Sequence, residues 1–275
     1  MPLPTPSPTS TAVVTGASSG IGADIARELA ARGHGVTLVA RREDKLRELA
    51  EELGKTVRVE AIAGDVADPD ARAGLFDAVA DRGLTLDILV NNAGIGTIGS
   101  VTRTPVADEI AQVRVNVEAV IDLTTRAVQQ MVPRGRGAIL NVGSTAGYHP
   151  FPGQAGYAAT KAFVKTYTDG VRGELAGTGV TVAMLAPGPV RTEFLQAAGM
   201  DEDKFAEAFP KFLWMSSREV ARIGVEALEK DRGMVIAGLR NVVSTRFMQA
   251  LPRPILLKTL ARQHPGLRRD RRSFG

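Results

Sequence analysis

Three polar side chains in the second half of the sequence have the types and spacing of an acid–base site. Tyr157 precedes Lys161 by four residues in the segment GYAATKAF, and Ser144 lies thirteen residues before Tyr157. Residues four apart project from the same face of a helix. A free tyrosine has a pKa of about 10, and a neighbouring ammonium lowers it by stabilising the phenolate. The segment therefore predicts an acid–base pair, and the plain alternative is the polar edge of a surface helix.

The stretch TGASSGIG, residues 15–22, has the spacing of a turn that binds a dinucleotide. It follows the first apolar run directly and precedes a segment of helical period. Gly16 permits the tight turn, Gly20 lets the backbone approach a pyrophosphate, and Gly22 allows close packing of helix on strand. A helix that begins near Ile21 offers free N–H groups to phosphate. We predict dinucleotide binding here, and a purely structural turn is the alternative.

The end of the second apolar run indicates which dinucleotide is preferred. Ala40 stands where an acidic residue would hold the ribose hydroxyls of NAD, and Arg41 and Arg42 follow it. The planar fork of a guanidinium suits a phosphate, so the sequence favours NADP(H). In the alternative interpretation both arginines are surface residues at a helix start, paired with Glu43 and Asp44.

Elements able to position these groups can be read from the alternation of apolar runs with segments of helical period. Several of the runs are apolar at nearly every position, which is typical of strands buried on both faces. Repeated strand–helix–strand units give parallel strands joined by right-handed crossovers. We predict one α/β domain over residues 11–240, a Rossmann fold with a doubly wound, mostly parallel seven-stranded sheet and helices on both faces. The seven predicted strands are 11–16, 35–40, 57–64, 86–94, 137–144, 180–188 and 233–238.

The longest predicted helix covers residues 104–132 and contains Asn116. Thr104 and Pro105 are typical of a cap and a first turn, and Pro133 ends the pattern. Its apolar residues recur at the spacing of one helical face. They are Ile110, Val113, Val117, Val120 and Ile121.

Composition excludes several kinds of site. The 275 residues include no cysteine, so disulfides and thiolate chemistry are excluded. The three histidines, His34, His149 and His264, lie far apart and lack metal-ligand spacing, so no metal site is predicted. The net charge of +4 equals that of residues 261–275, which carry five arginines and one aspartate. The rest of the chain is neutral, so nucleic-acid binding is not expected.

The two ends of the chain differ in character from its body. Residues 1–10, MPLPTPSPTS, predict a flexible extended arm and lack the features of a secretory signal. No apolar run reaches the length of a membrane span, and the expected location is the cytoplasm.

Together these motifs give the chain a resemblance to the short-chain dehydrogenase/reductase family. The resemblance covers about residues 11–240. It rests on TGASSGIG (15–22), Asp65-Val66, NNAG (91–94), Asn116, Ser144, YAATK (157–161) and PGPVRT (187–192). Gly143 departs from the pattern, since many relatives carry a second serine there. The residues after 240 depart from it too, because compact relatives end soon after the last strand.

The resemblance implies a role for each matched residue. Tyr157 would exchange the proton of a carbonyl or alcohol oxygen, and Ser144 would hold that oxygen. Lys161 would lower the tyrosine pKa and bind the nicotinamide ribose, and Asn116 would order a water chain. With the glycine turn and the two arginines, the predicted cofactor-binding residues are Gly16, Ser18, Ser19, Gly20, Ile21, Gly22, Arg41, Arg42, Asp65, Val66, Asn92, Ala93, Gly94, Tyr157, Lys161, Pro187, Gly188, Val190 and Thr192.

The function implied is NADP(H)-dependent interconversion of a carbonyl compound and an alcohol. Aromatic residues between 193 and 215 predict a lid over a bulky apolar substrate, and core packing is the plain alternative. They are Phe194, Phe205, Phe209, Phe212 and Trp214, accompanied by Leu195 and Leu213. His149 is expected to be a solvent-exposed loop residue, and a position facing the pocket is the alternative. A non-catalytic protein that senses the cofactor or acts as a scaffold, and a different reaction on the same fold, remain alternatives.

Residues 241–275 form a C-terminal extension with a basic tail. A short amphipathic helix is predicted over about 255–262, with Lys258 and Arg262 on it. Three interpretations stay open: it docks on the core, it docks across a dimer, or it makes weak peripheral contact with a membrane. The family resemblance implies a homo-oligomer, a dimer or a tetramer, formed through the helices that carry Asn116 and Tyr157.

Overall fold

A seven-stranded parallel sheet forms the centre of the protein in the computed structural model, which describes residues 3–194, 209–263 and 267. The strand order is β3-β2-β1-β4-β5-β6-β7, and every neighbouring pair is parallel. The order reverses between β1 and β4, and open α/β sheets bind ligands beyond the carboxyl ends of the strands at such a point. The strands are β1 Ser10–Thr15, β2 Gly35–Ala40, β3 Val59–Ala63, β4 Thr85–Asn91, β5 Gly137–Val142, β6 Val180–Ala186 and β7 Met234–Ile236.

Helices cover both faces of the sheet. Helices α1, α2 and α7 pack on one face, and α3, α5 and α6 pack on the other. The predicted fold class is therefore confirmed, with a sheet that is parallel throughout rather than mostly parallel. The helices are α1 Gly20–Ala31, α2 Glu43–Leu53, α3 Pro69–Ala80, α4 Val106–Val113, α5 Ala119–Met131, α6 Ala155–Glu174, α7 Ser217–Glu229, α8 Leu239–Ala250 and α9 Arg253–Gln263.

Burial explains why the strand sequences are apolar without alternation. Every residue of β1, β2, β5 and β6 is buried, because helices cover both faces of these strands. The edge strands β3 and β7 are only partly buried. Burial of this kind stabilises the fold by about 25 cal/mol per Å² of apolar surface.

A buried polar chain fixes α5 and α6 against the sheet. Asn91 on β4 donates to Asn141 on β5 at 2.9 Å and to Thr124 on α5 at 3.0 Å. Asn141 in turn donates to Thr168 on α6 at 3.0 Å. Hydrogen bonds among buried side chains are costly to break, since each partner would be left unsatisfied. The helix that carries Tyr157 and Lys161 is thereby held in register with β4 and β5.

The predicted helix over 104–132 contains an irregularity that the sequence pattern did not reveal. Between α4 and α5, residues Arg114–Glu118 form a turn of π-helix. The predicted cap is also wrong: Pro105 is the residue before the helix, and the Thr104 hydroxyl donates to the Ser100 carbonyl at 3.1 Å. A π-turn inserts one residue and rotates the helix faces on either side of it.

The apolar face predicted for this helix does not pack on the core as a whole. Val120 is buried, but Ile110, Val113 and Ile121 are 47%, 39% and 38% exposed. The spacing identified the helix correctly, but it did not show that these three side chains are exposed.

The chain before β1 and after β7 packs against the domain. Leu3 contacts the hydrophobic cluster beneath α1 and α2, and the Thr9 carbonyl accepts from the Thr85 amide at 2.7 Å. The extension forms two helices: α9 contains the predicted segment, and α8 was not predicted. Among the described residues, the structure has no helix with the length and apolarity needed to cross a membrane.

Candidate active site

One cavity of about 870 Å³ lies at the carboxyl ends of the strands. All predicted site residues line it except Gly22 and Asn116, which lie behind its wall. Residues 195–208 fall outside the described part of the chain, so the predicted lid residues Leu195 and Phe205 are not placed. The structure thus brings residues from distant parts of the sequence into a single groove.

The glycine turn has the backbone conformation that its sequence predicts. Gly16 and Gly20 have φ angles of +65° and +55°, in the left-handed region that glycine tolerates. A Cβ atom on Gly16 would lie 2.9 Å from the Ala93 Cα, and one on Gly22 would lie 2.4 Å from the Gly16 carbonyl oxygen. Gly22 therefore serves helix packing rather than the cavity surface. The turn leads into α1 with no side chain capping the helix.

The end of β4 is tied to this turn by Asn92 and Thr15. The Asn92 amide nitrogen Nδ2 donates to the carbonyls of Thr15 at 2.9 Å and Gly16 at 3.2 Å. The Thr15 hydroxyl oxygen accepts from the backbone N–H groups of Asn92 and Ala93 at 3.0 and 3.1 Å. These bonds fix the loop after β4 beside the turn after β1, at the switch point of the sheet.

Arg41 and Arg42 lie at the same end of the cavity but in different surroundings. Arg42 reaches the glycine turn, donating to Ser18 Oγ at 3.0 Å and to Ser19 Oγ at 2.9 Å. It also pairs with Glu193 at 2.8 Å. The Arg41 side chain is 72% exposed, with a nitrogen 3.8 Å from an Asp65 carboxylate oxygen. Both guanidinium groups thus border the place where the second strand ends.

Tyr157, Lys161 and Ser144 converge at the middle of the cavity. Tyr157 and Lys161 lie one turn apart on α6, and the Lys161 nitrogen is 5.7 Å from the centroid of the Tyr157 ring. Lys161 is buried, and its Nζ donates to the Val142 carbonyl at 2.9 Å. Ser144 follows β5 and begins a 3₁₀ turn, Thr145–Tyr148. The predicted three side chains are therefore brought together.

The surroundings shift the pKa values of the tyrosine and the lysine in opposite directions. Burial raises the pKa of Tyr157 to about 12, and interaction with Ser144 opposes this with a smaller effect. Burial lowers the pKa of Lys161 to about 8. The tyrosine pKa is thus raised by burial in the protein by itself, and its lowering by Lys161 stays a prediction. At neutral pH the site holds a protonated phenol beside a charged ammonium.

Asn116 lies in the π-turn and uses its side chain to hold the loop after β4. Its Oδ1 accepts from the Ile95 amide at 3.0 Å. Its Nδ2 donates to the Ile95 carbonyl at 2.8 Å and to the Thr160 hydroxyl at 3.0 Å. Both amide hydrogens are therefore occupied. The residue connects the loop to α6 one position before Lys161.

Several glycines that position the site were not identified from the sequence, because they belong to no motif or periodic pattern. A Cβ on Gly147 would lie 2.6 Å from the backbone carbon of Lys161, so the close approach of the 3₁₀ turn to α6 at this point requires glycine. A Cβ on Gly96 would lie 3.2 Å from the Tyr157 ring. A Cβ on Gly143 would lie 2.8 Å from the Met184 sulfur, so a side chain there would require the end of Met184 to shift.

The segment after β6 borders the cavity between the glycine turn and α8. The Pro187 carbonyl accepts from the Thr145 amide at 2.9 Å, next to Ser144. A Cβ on Gly188 would lie 2.4 Å from the side chain of buried Asn241. Thr192 lies against Gly20, whose added Cβ would be 3.0 Å from the threonine methyl. The predicted residues of PGPVRT are thus packed between the glycine turn and α8.

The half of the cavity beyond Tyr157 is aromatic. Phe194 lies 5.5 Å from the Tyr157 ring, and Phe209 stacks on Phe151 with centroids 6.3 Å apart. His149 is half-buried and lines the cavity, so the expectation of an exposed loop histidine is wrong. The charged side chains that line the cavity in the described chain are Arg41, Arg42, Asp65, Lys161 and Glu193.

The C-terminal extension supplies a further wall that the sequence did not predict. Ser244, Thr245, Phe247 and Met248 on α8 line the cavity, as does Leu260 on α9. Helix α8 contacts the 3₁₀ turn after Ser144, and the Gln249 amide donates to the Tyr148 carbonyl at 3.4 Å. The extension therefore belongs to the site.

Sequence comparison now identifies the family. Residues 10–203 match the profile described as short chain dehydrogenase. The chain belongs to the short-chain dehydrogenase family. It is an oxidoreductase of a family that acts on small molecules with a nicotinamide cofactor.

Individual relatives extend the similarity in sequence and in fold. Sulfoacetaldehyde reductase 2 of Chromohalobacter salexigens is 39% identical over 184 residues, covering 66% of this chain and 73% of that protein. A short-chain dehydrogenase from Sphingobium yanoikuyae in complex with NADPH is 30% identical, with a TM-score of 0.77 over 88% of this chain and 96% of its own. The bulky-bulky ketone specific alcohol dehydrogenase from Comamonas testosteroni is 27% identical. Its TM-score is 0.73, and the match covers 90% of this chain and 96% of that protein.

The residues present in this short-chain dehydrogenase fit a nicotinamide dinucleotide. The left-handed Gly16 and Gly20 expose backbone at the start of α1, where a pyrophosphate would be held. Lys161 and the side chains of Ser144 and Tyr157 border the far end of the same groove. The groove therefore joins a phosphate-binding end to an acid–base centre.

Proposed function

We propose that this short-chain dehydrogenase is an NADP(H)-dependent carbonyl reductase, or alcohol dehydrogenase, that acts on a bulky apolar substrate. The observation that carries the proposal is the position of Tyr157. Its protonated phenol lies beside Ser144 and Lys161, at the junction of the glycine-turn end and the aromatic end of one cavity. A carbonyl oxygen placed there would meet a proton donor and a hydrogen-bonding hydroxyl.

Each side chain has a distinct task in this proposal. In reduction, Tyr157 donates its proton to the carbonyl oxygen and Ser144 holds that oxygen. The Lys161 ammonium stabilises the phenolate that remains and binds the nicotinamide ribose. Asn116 keeps the loop after β4 aligned with α6, and its predicted ordering of a water chain is part of the proposal. The nicotinamide cofactor, when bound, supplies or accepts the hydride.

The preference for NADP(H) follows from the two arginines after β2. Arg42 already lies on Ser18 and Ser19, so a ribose phosphate at the end of β2 would lie between Arg41, Arg42 and hydroxyl donors. Ala40 presents no carboxylate that would favour NAD. The NADPH complex of the Sphingobium relative supports this preference.

The substrate class follows from the walls of the second half of the cavity. Phe151, Phe194 and Phe209 surround the entrance to Tyr157, joined by Phe247 and Met248 from the extension. These walls are apolar, so a neutral carbonyl compound suits them better than an anion, whose charge would lose its hydration there. The Comamonas relative, described as specific for bulky-bulky ketones, supports this class. The similar fold of that relative supports a homologous site in this protein. The ketone specificity itself is known for the relative alone.

The test measures oxidation of NADPH by the purified protein across neutral ketones and aldehydes that increase in size, with NADH and an anionic aldehyde run in parallel. We expect turnover with bulky neutral carbonyls, and more turnover with NADPH than with NADH. Tyr157→Phe should lower kcat by at least about 100-fold, the usual effect of a general acid. Its affinity for NADPH should change by no more than a few-fold.

Unchanged turnover in Tyr157→Phe would contradict the assignment of the acid. Tyr148→Phe is the matched control, because that phenol lies outside the cavity lining. NADPH binding without turnover on any carbonyl would favour the alternative of a protein that senses the cofactor. Location in the cytoplasm and assembly into a homo-oligomer are further parts of this proposal.

A further inference from the structure

Helix α8 buries polar side chains and leaves large apolar side chains exposed. Its inward side is polar, with Asn241 and Thr245 each 3% exposed. Its outward side carries Leu239, Val243 and Phe247 at intervals of four residues, which are 78%, 60% and 63% exposed. Large apolar side chains in a row on a surface indicate an interaction site rather than an ordinary solvated face.

The same outward surface is rich in cations. Arg240 and Arg246 lie on α8, and Arg253 and Lys258 lie on α9, all of them exposed. None of the four forms an ion pair with any other residue that the structure describes. Residues 239–269 contain no aspartate or glutamate at all. In the described part of the chain, the apolar row is thus bordered by cations that form no ion pair.

Further large apolar side chains are exposed on α9 and on the segment before α7. Ile255 on α9 is 55% exposed, and Phe212, from the segment before α7, is 57% exposed. Phe212 and Phe247 also line the cavity. The surface therefore continues to the rim of the candidate active site. We call Leu239, Val243, Phe247, Ile255 and their neighbouring cations the α8–α9 face.

The positive charge of this face favours one of two partners, a second copy of the chain or an anionic bilayer. In a two-fold interface the same patch meets itself. Arg240 and Arg246 would then approach their own copies with no acidic residue in the helix to offset the repulsion. An anionic bilayer surface offers both apolar depth and negative charge, and each arginine near it contributes favourably. We propose that the α8–α9 face docks on the surface of an anionic lipid bilayer, without a spanning segment.

The experiment is flotation of the full-length protein with lipid vesicles. One set contains phosphatidylcholine alone, and the other contains phosphatidylcholine mixed with phosphatidylglycerol. We expect flotation with the anionic set, little with the neutral set, and release as salt is raised, because salt screens the attraction between charges. This result does not depend on the proposed reaction.

Two double variants separate the apolar and the charged parts of the face. Leu239→Glu with Val243→Glu should lower partition onto anionic vesicles by at least about tenfold. Arg240→Gln with Arg246→Gln should lower it by about tenfold or more, since each cation contributes separately. Val101→Glu is the matched control, because Val101 is 68% exposed and lies outside the α8–α9 face. It should bind as the unaltered protein does.

Circular dichroism and light scattering accompany each variant, so that a fold or assembly defect is recognised. Three outcomes would overturn the proposal. The unaltered protein could fail to float with anionic vesicles, or the α8 variants could bind as the control does. The Leu239→Glu, Val243→Glu variant could also convert an oligomer into monomers, which would make the face a subunit interface.

Discussion

Tyr157 and Lys161 show how one environment prepares two groups for different tasks. Burial opposes the charged form of each group, so it raises the phenol pKa and lowers the ammonium pKa. The phenol therefore keeps its proton at neutral pH, as an acid in carbonyl reduction requires. The lysine stays charged at neutral pH but loses that charge first as the pH rises.

This order of titration predicts a pH dependence for reduction. The pKa of Lys161 is lowered to about 8, so the ammonium is present below that pH and is lost above it. We expect kcat/KM for NADPH to be level near neutral pH and to fall above about pH 8, approaching about tenfold per unit. This parameter reports the enzyme before the cofactor binds, which is the state that the pKa values describe.

Lys161→Arg is the control for this profile, because arginine keeps its charge to a much higher pH. Its activity should be lower at neutral pH, and the decline above pH 8 should disappear. A level profile for the unaltered enzyme through the alkaline range would contradict the role of the ammonium.

At the scale of elements, the extension changes what the cavity can accept. Helix α8 packs on the 3₁₀ turn after Ser144 and places Phe247 and Met248 at the cavity wall. A substrate that reaches Tyr157 therefore passes a wall that lies outside the residues matched to the family profile, 10–203. Substrate size should depend on this helix.

Shortening the side chains of this wall should lower activity on large substrates more than activity on small ones. We expect Phe247→Ala with Met248→Ala to lower kcat/KM for the bulkiest ketone accepted by about tenfold, because apolar contacts are lost. The value for a small aldehyde should change much less. Steady-state kinetics on the two substrates measure the ratio of their kcat/KM values in the variant and in the unaltered protein.

Val243→Ala is the matched control on the same helix, because its side chain is 60% exposed and absent from the cavity lining. An equal loss for large and small substrates would indicate a general disturbance of α8 instead of a change in specificity.

At the scale of the whole molecule, exposed residues of α4 and α5 support the proposed assembly into a homo-oligomer. Val106, Ile110, Val113 and Ile121 are exposed on these helices. Unlike α8, α4 carries the acidic residues Asp108 and Glu109 beside them. Exposed apolar patches are typical of interfaces between copies of a chain. These residues also lie on the helices through which the family resemblance implies a homo-oligomer.

Charge placed among these exposed residues of α4 should prevent assembly. Ile110→Glu with Val113→Glu is expected to shift the protein from oligomer to monomer at micromolar concentration, since carboxylates would be buried without partners. Light scattering coupled to size exclusion measures the mass. The Leu239→Glu, Val243→Glu variant is the control, and it should keep the mass of the unaltered protein.

The sequence alone determined the fold class and most of the candidate site. Strands buried on both faces must be apolar at nearly every position, and a dinucleotide turn needs glycine where φ is positive. Tyr157 and Lys161 were identifiable because helix geometry converts a spacing of four into proximity. These features are local, so a linear pattern contains them.

The tertiary structure alone decided the rest. The π-turn at Asn116, the glycine contact of Gly147 with α6 and the wall formed by α8 each depend on residues far apart in the sequence. Burial raises the pKa of Tyr157 through desolvation, which depends on all surrounding atoms. The exposure of Ile110 and Leu239 was also not predictable from the sequence. Periodicity shows which face of a helix is apolar, but it does not show which residues cover that face.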